Sequence, residues 1–300
     1  MKMKPILLAG ASLVAIGGVL LGSGLALGGN NNIEWREGRP VISTVINHTE
    51  DIPSNIKNLV IDTTASNVRV IQGSQFQLSS HLRDSRAQLE ISGDTATISG
   101  KTNPVYMNIG VNFHAMNEEI VITVPRNVEL SSVIINGVNN SVALSQIFVK
   151  DIEIAGNESW VSMNSMEINS LKVERGSGGF SLTDVQIKED LNLSVPNISL
   201  NLHSVKVPSI NLDVRNTSVN ISDLTIQKAS KITLENAFMN IHDLTALGVV
   251  VKGEGSTLEK FTNEGWLVEQ TLPYEEGNSK EGLTIEAQNS SVQLQGLTIK

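Results

Sequence analysis

The chain has 300 residues, no cysteine, only 4% aromatic residues and a formal net charge of −9. The lack of cysteine excludes disulfides, thiolate metal sites and cysteine nucleophiles, and the acidic balance argues against a surface that binds nucleic acid. Since aromatic residues are scarce, the core must be built from valine, isoleucine and leucine, which suits thin, stacked β-layers.

The first predicted element is residues 5–29, a run without a charged side chain. A helix of about 20 residues crosses the hydrocarbon core of a bilayer, so this run predicts one transmembrane helix that anchors the chain in the cell membrane. Lys2 and Lys4 precede it, and the positive-inside rule places the N-terminus in the cytoplasm and the bulk of the chain outside. A cleaved secretory signal, with Gly24 and Ala26 before the cut, is the alternative.

The rest of the chain predicts a linker and a β-rich ectodomain. The linker covers residues 30–50, and the ectodomain covers residues 51–300. The ectodomain has four predicted parts, which are an irregular region at 51–127, regular coils at 128–258, a loop insertion at 259–282 and a last coil at 283–300. The pattern does not define the strand order of the irregular region.

A repeat of 19 or 20 residues dominates the regular coils. It is marked by the apolar pairs Val142/Leu144, Val161/Met163, Phe180/Leu182, Leu200/Leu202, Val219/Ile221 and Met239/Ile241, and it returns at Val292/Leu294. One unit cannot bury its apolar side chains alone, whereas units stacked about 4.8 Å apart pair every strand. The constant register therefore favours an all-β, right-handed parallel β-helix with three short strands per coil over an antiparallel sandwich.

Three segments carry a resemblance to a known family. They are the apolar N-terminus followed by Ile33–Trp35, the segment NLVIDTTASNVRVIQG and the segment ITVPRNVELSSVIINGVNNSVAL. Together they resemble the Gram-positive "putative adhesin" β-helix domains, a membrane-anchored family of unknown function related in architecture to bactofilin-like solenoids. The resemblance covers essentially the whole chain and implies a right-handed β-helix. The family name also suggests adhesion.

Candidates for chemistry are few. Asp184, Asp223 and Asp243 fall in one column of the predicted solenoid, where neighbouring carboxylates could bind a cation or act as an acid/base pair. Aspartate at a strand end more often stabilises a turn, so we expect a structural role and no catalytic, cofactor or metal residue. His203 and His242 lie two coils apart, about 9.6 Å, which is too far to share a metal ion.

A second candidate is the segment 261–282, which interrupts the repeat and carries Trp266 and Tyr274. A loop that projects from a rigid solenoid is a plausible recognition site. A capping or disordered insertion is the alternative.

These patterns predict a non-enzymatic, membrane-anchored protein of the cell envelope that acts as an adhesin-like, scaffold or signalling-accessory module. Its expected partners are the membrane, through residues 5–29, and other envelope proteins or surface glycans, but not nucleic acid. One alternative is a carbohydrate-active β-helix enzyme, a polysaccharide lyase or hydrolase. Another is a self-assembling solenoid, because the final strand LTIK (297–300) has almost no polar cap.

Overall fold

The computed structural model describes residues 10, 12–19, 22–23, 32–36, 39–101, 118–156, 158–173, 178–261 and 267–300. Residues 12–19 are helical. No helix among the described residues has the length and hydropathy needed to cross a membrane. More than half of the predicted membrane segment, residues 5–29, lies outside the described residues.

The chain divides into two compact units, residues 1–45 with 103–117 and residues 46–102 with 118–300. The described strands are β1 (Asn32–Arg36), β2 (Arg39–Ser43), β3 (Val45–Asp51), β4 (Asn58–Thr64), β5 (Asn67–Gly73), β6 (Gln77–Arg83), β7 (Gln88–Ser92), β8 (Thr95–Lys101), β9 (Glu119–Pro125), β10 (Glu129–Val138), β11 (Ser141–Ser145), β12 (Phe148–Ile154), β13 (Ser159–Ile168), β14 (Ser170–Val173), β15 (Gly178–Ile187), β16 (Leu191–Pro196), β17 (Ile198–Val207), β18 (Ile210–Arg215), β19 (Ser218–Ile226), β20 (Ser230–Glu235), β21 (Phe238–Ala246), β22 (Gly248–Glu254), β23 (Thr257–Phe261), β24 (Leu267–Gln270), β25 (Tyr274–Gly277), β26 (Leu283–Gln288) and β27 (Ser291–Ile299).

The segment predicted as a linker, residues 30–50, contains the strands β1 and β2 and most of β3. In the first unit β1 and β2 form an antiparallel pair, and the second unit begins with most of β3. Ile33 pairs with Ile42, and Trp35 pairs with Pro40. The segment is rich in residues that favour strands, including Ile33, Trp35, Val41 and Ile42.

The second unit consists of a 12-stranded and a 13-stranded sheet that enclose the core. From β10 to β19, each strand pairs in parallel with the strand two positions later, so the chain alternates between the sheets once per coil. Valine, isoleucine and leucine supply most of the buried side chains. The predicted all-β solenoid is confirmed.

Each regular coil contains two strands, not the three that the sequence pattern predicts. In the 13-stranded sheet, the predicted second and third strands form one strand that bends at a residue with φ near +55°. These bend residues include Ser165, Asp184, Ser204, Asp223 and Asp243. A single left-handed residue turns the strand and lets pairing resume directly after it, so the corner needs no loop.

The opposite corner also has left-handed residues in several of the described coils, at turn residues of the repeat. Asn197, Asn216, Asn236 and Asn289 hold these positions with φ between 49° and 59°. Asparagine tolerates this backbone conformation better than most residues do. Just inside this corner, the Ser290 hydroxyl accepts the Ala237 N–H at 3.0 Å and donates to the Gln288 carbonyl at 2.8 Å. The corner thus joins successive coils by polar contacts.

The C-terminal coil is not at the end of the solenoid. Strand β26 lies between β20 and β22, and β27 lies between β21 and β23. The chain first passes one coil further along the axis and then returns through β24 and β25, which pair antiparallel with β23 and β22. Residues 291–294 of β27 pair with β21 and β23, whereas residues 297–299 of the LTIK segment pair, among the described strands, with β21 alone. The expectation of an uncapped edge at LTIK therefore stays a prediction.

The N-terminal end of the second unit shows the same kind of crossing. Strands β8 and β9 pair in parallel with β4 and β5, on the side away from β10 and β11. Antiparallel β7 and β6 then cover β8 and β9. The described part of the irregular region at 51–127 thus contains an out-of-order coil, β8 and β9, covered by one antiparallel strand in each sheet.

Candidate functional site

The aspartate column lies at the bend of the 13-stranded sheet. Asp184, Asp223 and Asp243 are exposed and have φ of 54°, 56° and 58°. The Ser204 hydroxyl donates to Asp223 Oδ2 at 3.0 Å, and His242 Nδ1 lies 2.7 Å from Asp243 Oδ2. All three residues thus have the left-handed conformation of the bend, and Asp223 and Asp243 also make local polar contacts. Among the described residues there is no group of three or more His, Asp or Glu side chains that could hold a metal ion.

The histidines lie in the predicted register. His203 pairs with Ser222 in the next strand, and Ser222 pairs with His242 in the strand after it. His203 Nδ1 lies 2.9 Å from the Ser222 hydroxyl. His203 and His242 therefore lie two coils apart, with the coil of Ser222 between them.

Tyr274 belongs to the C-terminal cover of the solenoid. It lies on β25, and its side chain packs against the core. Its hydroxyl donates to Glu276 and accepts a hydrogen bond at 2.7 Å from Lys260, whose ammonium lies 5.2 Å from the ring centroid. Trp266, the other candidate in this segment, lies outside the described residues. The described part of 261–282 is thus a capping structure that includes β24 and β25.

Lys260 and Glu276 were not found from the sequence, although a signal was present. Lys260 pairs with Leu294, at a position that is apolar in the preceding coils. Hydrogen bonds from Lys260 and Tyr274 lower the pKa of Glu276 against the opposing effect of burial. Burial lowers the pKa of Lys260, but hydrogen bonds to Glu276 and Tyr274 outweigh it, and the net pKa is raised. Burial, followed by the bond to Glu276, raises the pKa of Tyr274.

This cluster predicts a pH-dependent contribution to stability. Because the pKa of Glu276 is lowered below 4.5 on folding, its contribution is present above pH 4.5 and is lost as the pH falls through the folded-state pKa. We expect Glu276→Gln to lower the free energy of unfolding by roughly 1 kcal/mol at neutral pH and by less in acid, since the pair is partly exposed. Thermal melts at both pH values measure this. Glu275→Gln on the same strand is the control, and an equal effect in both variants would contradict the prediction.

The outer surface of the 13-stranded sheet carries a continuous uncharged area, which we call the neutral face. It comprises the first, third and fifth residues of the segments 141–145, 160–164, 179–183, 199–203, 218–222, 238–242 and 291–295. None of these described positions is Asp, Glu, Lys or Arg, and most are Ser, Thr, Asn or Gln. All except Gly179 are exposed or half-exposed. The face measures roughly 30 by 13 Å from strand spacing and residue rise.

Trp160 is the largest side chain on the neutral face and is 44% exposed. It pairs with Gly179 in the next strand. A Cβ at Gly179 would lie 1.8 Å from Trp160 Cε3, so the indole ring covers this glycine. One side of the ring therefore packs on the backbone of β15, and its other side is open to solvent.

The outer surface of the 12-stranded sheet is charged instead. Ion pairs join neighbouring coils there, including Lys231 with Glu286 at 2.7 Å and Arg215 with Glu235 at 3.6 Å. An open cleft of about 650 Å³ lies between these charged strands and Leu272–Pro273 of the C-terminal cover. The neutral face thus lacks the charges of the 12-stranded sheet. The charged residues of its own strands lie beyond its border, at and after the bend, and are Glu167, Asp184, Lys206, Asp223 and Asp243.

Comparisons with known proteins agree on the fold family. Residues 56–259 match the family model described as Toastrack DUF4097. No curated protein matches the chain. The match to this family model confirms the expected resemblance to a family of domains of unknown function.

Three solved structures are similar to the chain. A protein from Parabacteroides distasonis described as a "putative adhesin" has 12% sequence identity and a TM-score of 0.49. The alignment covers 84% of this chain and 97% of that one. A cell adhesion protein from Clostridium sporogenes, likewise described as putative, has 12% identity and a TM-score of 0.26, with coverages of 85% and 100%. One from Bacteroides fragilis, again a "putative adhesin", has 11% identity and a TM-score of 0.35, with coverages of 83% and 96%.

Proposed function

We propose that this chain, which belongs to the Toastrack DUF4097 family, is a non-enzymatic, membrane-anchored protein of the cell envelope that makes adhesin-like or scaffold contacts through its neutral face. The observation that carries the proposal is the difference in charge between the neutral face and the 12-stranded sheet. The 12-stranded sheet uses its outward positions for ion pairs between coils, whereas the neutral face offers uncharged donors and acceptors. Exposed polar side chains that are not engaged in ion pairs are suited to direct hydrogen bonds with a binding partner.

Features of the N-terminus support the anchoring. Residues 5–29 carry no charge, and Lys2 and Lys4 precede them. Within the described helical residues, Leu13 and Val14 are 72% and 76% exposed. Apolar side chains that find no cover in the protein are stabilised by transfer into lipid. The proposed orientation has a cytoplasmic N-terminus and an external solenoid.

The corner geometry supports a non-enzymatic role. Asp184, Asp223 and Asp243 occupy left-handed bend positions that Ser165 and Ser204 fill in other coils. Because serine fills this position in some coils and aspartate in others, the bend does not require a carboxyl group. The position serves the backbone conformation. The column is therefore accounted for without acid/base catalysis.

Site-specific photo-crosslinking in cells tests the proposal. The full-length chain would carry a photo-reactive residue at Asn220 on the neutral face or at Asn211 on the 12-stranded sheet, both of which are exposed. We expect the protein to stay in the membrane fraction after high-salt and alkaline extraction. We also expect crosslinks to envelope components from position 220 and few from position 211. Extraction into the soluble fraction, or equal crosslinking from both positions, would overturn it.

A further inference from the structure

We infer that the neutral face binds a neutral glycan chain, with Trp160 as the platform on which one sugar ring stacks. This inference rests on the proposed function and names the partner class for the same surface. It depends on three features of the face, which are its hydrogen-bonding chemistry, the exposed indole and the position of the nearest charges.

The polar side chains of the face match the hydroxyl groups of a glycan. Asn, Gln, Ser and Thr both donate and accept hydrogen bonds, as sugar hydroxyls do. Asn220 Nδ2 donates to Asn201 Oδ1 at 3.2 Å, so the amides of one column align along the solenoid axis. Each amide keeps a further donor and a further acceptor position after this bond. Because these groups repeat at about 4.8 Å, the face suits a chain of repeating units better than a single small molecule.

Trp160 supplies the apolar part of such a site. Its indole lies against Gly179, and its other side is open to solvent. An aromatic ring packed against the backbone offers a large apolar surface at little entropic cost, with polar groups beside it. This arrangement suits a pyranose ring, which has an apolar C–H face and a polar rim.

The surrounding charges favour an uncharged ligand. Arg69 on β5 lies in line with the face at one end and Glu259 on β23 at the other, and Arg69 is paired with Glu119 at 2.9 Å. The exposed aspartates Asp184, Asp223 and Asp243 directly follow the face on their strands. An anionic polymer would meet no free cation on the face and would be repelled by a chain of net charge −9. A protein partner needs an apolar centre, whereas Trp160 and Phe238 are separated by Gly179, Ser199 and Ser218 along their column.

Co-sedimentation of the purified full-length chain with insoluble polysaccharides tests the inference. The neutral probes are chitin, cellulose and cross-linked dextran, and the anionic probe is cross-linked polygalacturonate. We expect retention on at least one neutral probe and none on the anionic probe. Trp160→Ala should weaken retention roughly tenfold, equivalent to about 1.4 kcal/mol, and Asn220→Ala should weaken it by a smaller factor. Phe148→Ala and Asn211→Ala remove an exposed aromatic and an exposed amide from the 12-stranded sheet, and they should bind as the parent does.

Two results would overturn the inference. One is no retention on any neutral probe, and the other is equal retention of the Trp160→Ala and Phe148→Ala variants. If crosslinks from position 220 to an envelope protein persist in cells under either result, the proposed function stands and the partner is a protein. If those crosslinks are also absent, both the inference and the proposed function fail.

Discussion

A chain shortened after Gly282 will lose the folded C-terminal end of the solenoid rather than one terminal coil. The deletion removes β26 and β27, which lie between β20–β21 and β22–β23. It leaves a gap of about 9.6 Å, two strand spacings, between the strands on either side. Leu283, Ile285 and Val292 are fully buried there, and their loss removes most of the apolar contacts of β22 and β23. We expect destabilisation of more than about 5 kcal/mol, comparable with the stability of a whole domain.

Limited proteolysis with mass spectrometry measures this effect directly. In the shortened chain, cleavage should appear throughout residues 248–277, the strands left without parallel partners. Gln295→Ala in the full chain is the control, because its exposed side chain lies on β27 and its removal keeps every strand. If 248–277 resist the protease in the shortened chain, the coil order described above is wrong. A solenoid with coils in sequence order would lose only the stacking energy of its last unit.

Gly137→Ala will destabilise the junction between β4 and β10 by about 3–5 kcal/mol, from backbone strain together with overpacking. Gly137 has φ +115°, and an added Cβ would lie 2.0 Å from the Thr63 carbonyl oxygen. That oxygen also accepts the Asn140 side-chain amide at 2.6 Å, so it cannot move away without breaking this bond. The strain falls where the out-of-order N-terminal coil joins the regular coils.

Gly93→Ala is the matched control for this substitution. Gly93 has φ +64°, but nothing lies within 4 Å of an added Cβ. Its replacement therefore costs only the left-handed backbone strain, about 1–2 kcal/mol. Chemical denaturation of both variants gives the difference, which combines the steric clash at Gly137 with the greater backbone strain of its φ of +115°. Equal destabilisation would show that the close approach to Thr63 relaxes freely.

The neutral face illustrates how much of a candidate site is present in the sequence. The apolar pairs that reveal the repeat also fix the register of the outward residues between them, such as Ser181, Asn201 and Asn220. Aligning those outward positions by coil would have shown a column free of charge. The ring of Trp160 over Gly179 could not be found in this way, because the path of a side chain across a neighbouring strand depends on local packing.

The capping cluster shows the opposite case. Lys260 stands at an otherwise apolar position, which indicates a special contact but not its partners. Tyr274 and Glu276 reach it only because β25 returns antiparallel along β22. Their approach depends on the path of the chain between 261 and 274, and no periodic pattern covers that segment.

The sequence by itself determined the repeat, the inward and outward faces and the stacking of regular coils. It could do so because each coil specifies its own alternation, and like side chains stack on like at a spacing of 19 or 20 residues. Only the tertiary structure decided the order of the coils at both ends and the number of strands per coil. Every coil presents a similar strand edge and similar columns of apolar side chains. The local sequence pattern is therefore compatible with more than one order of the coils. The choice among them depends on long-range closure. Strands β7, β6 and β3 lie outside β8 and β9 at one end of the sheets, and β25 and β24 lie outside β22 and β23 at the other.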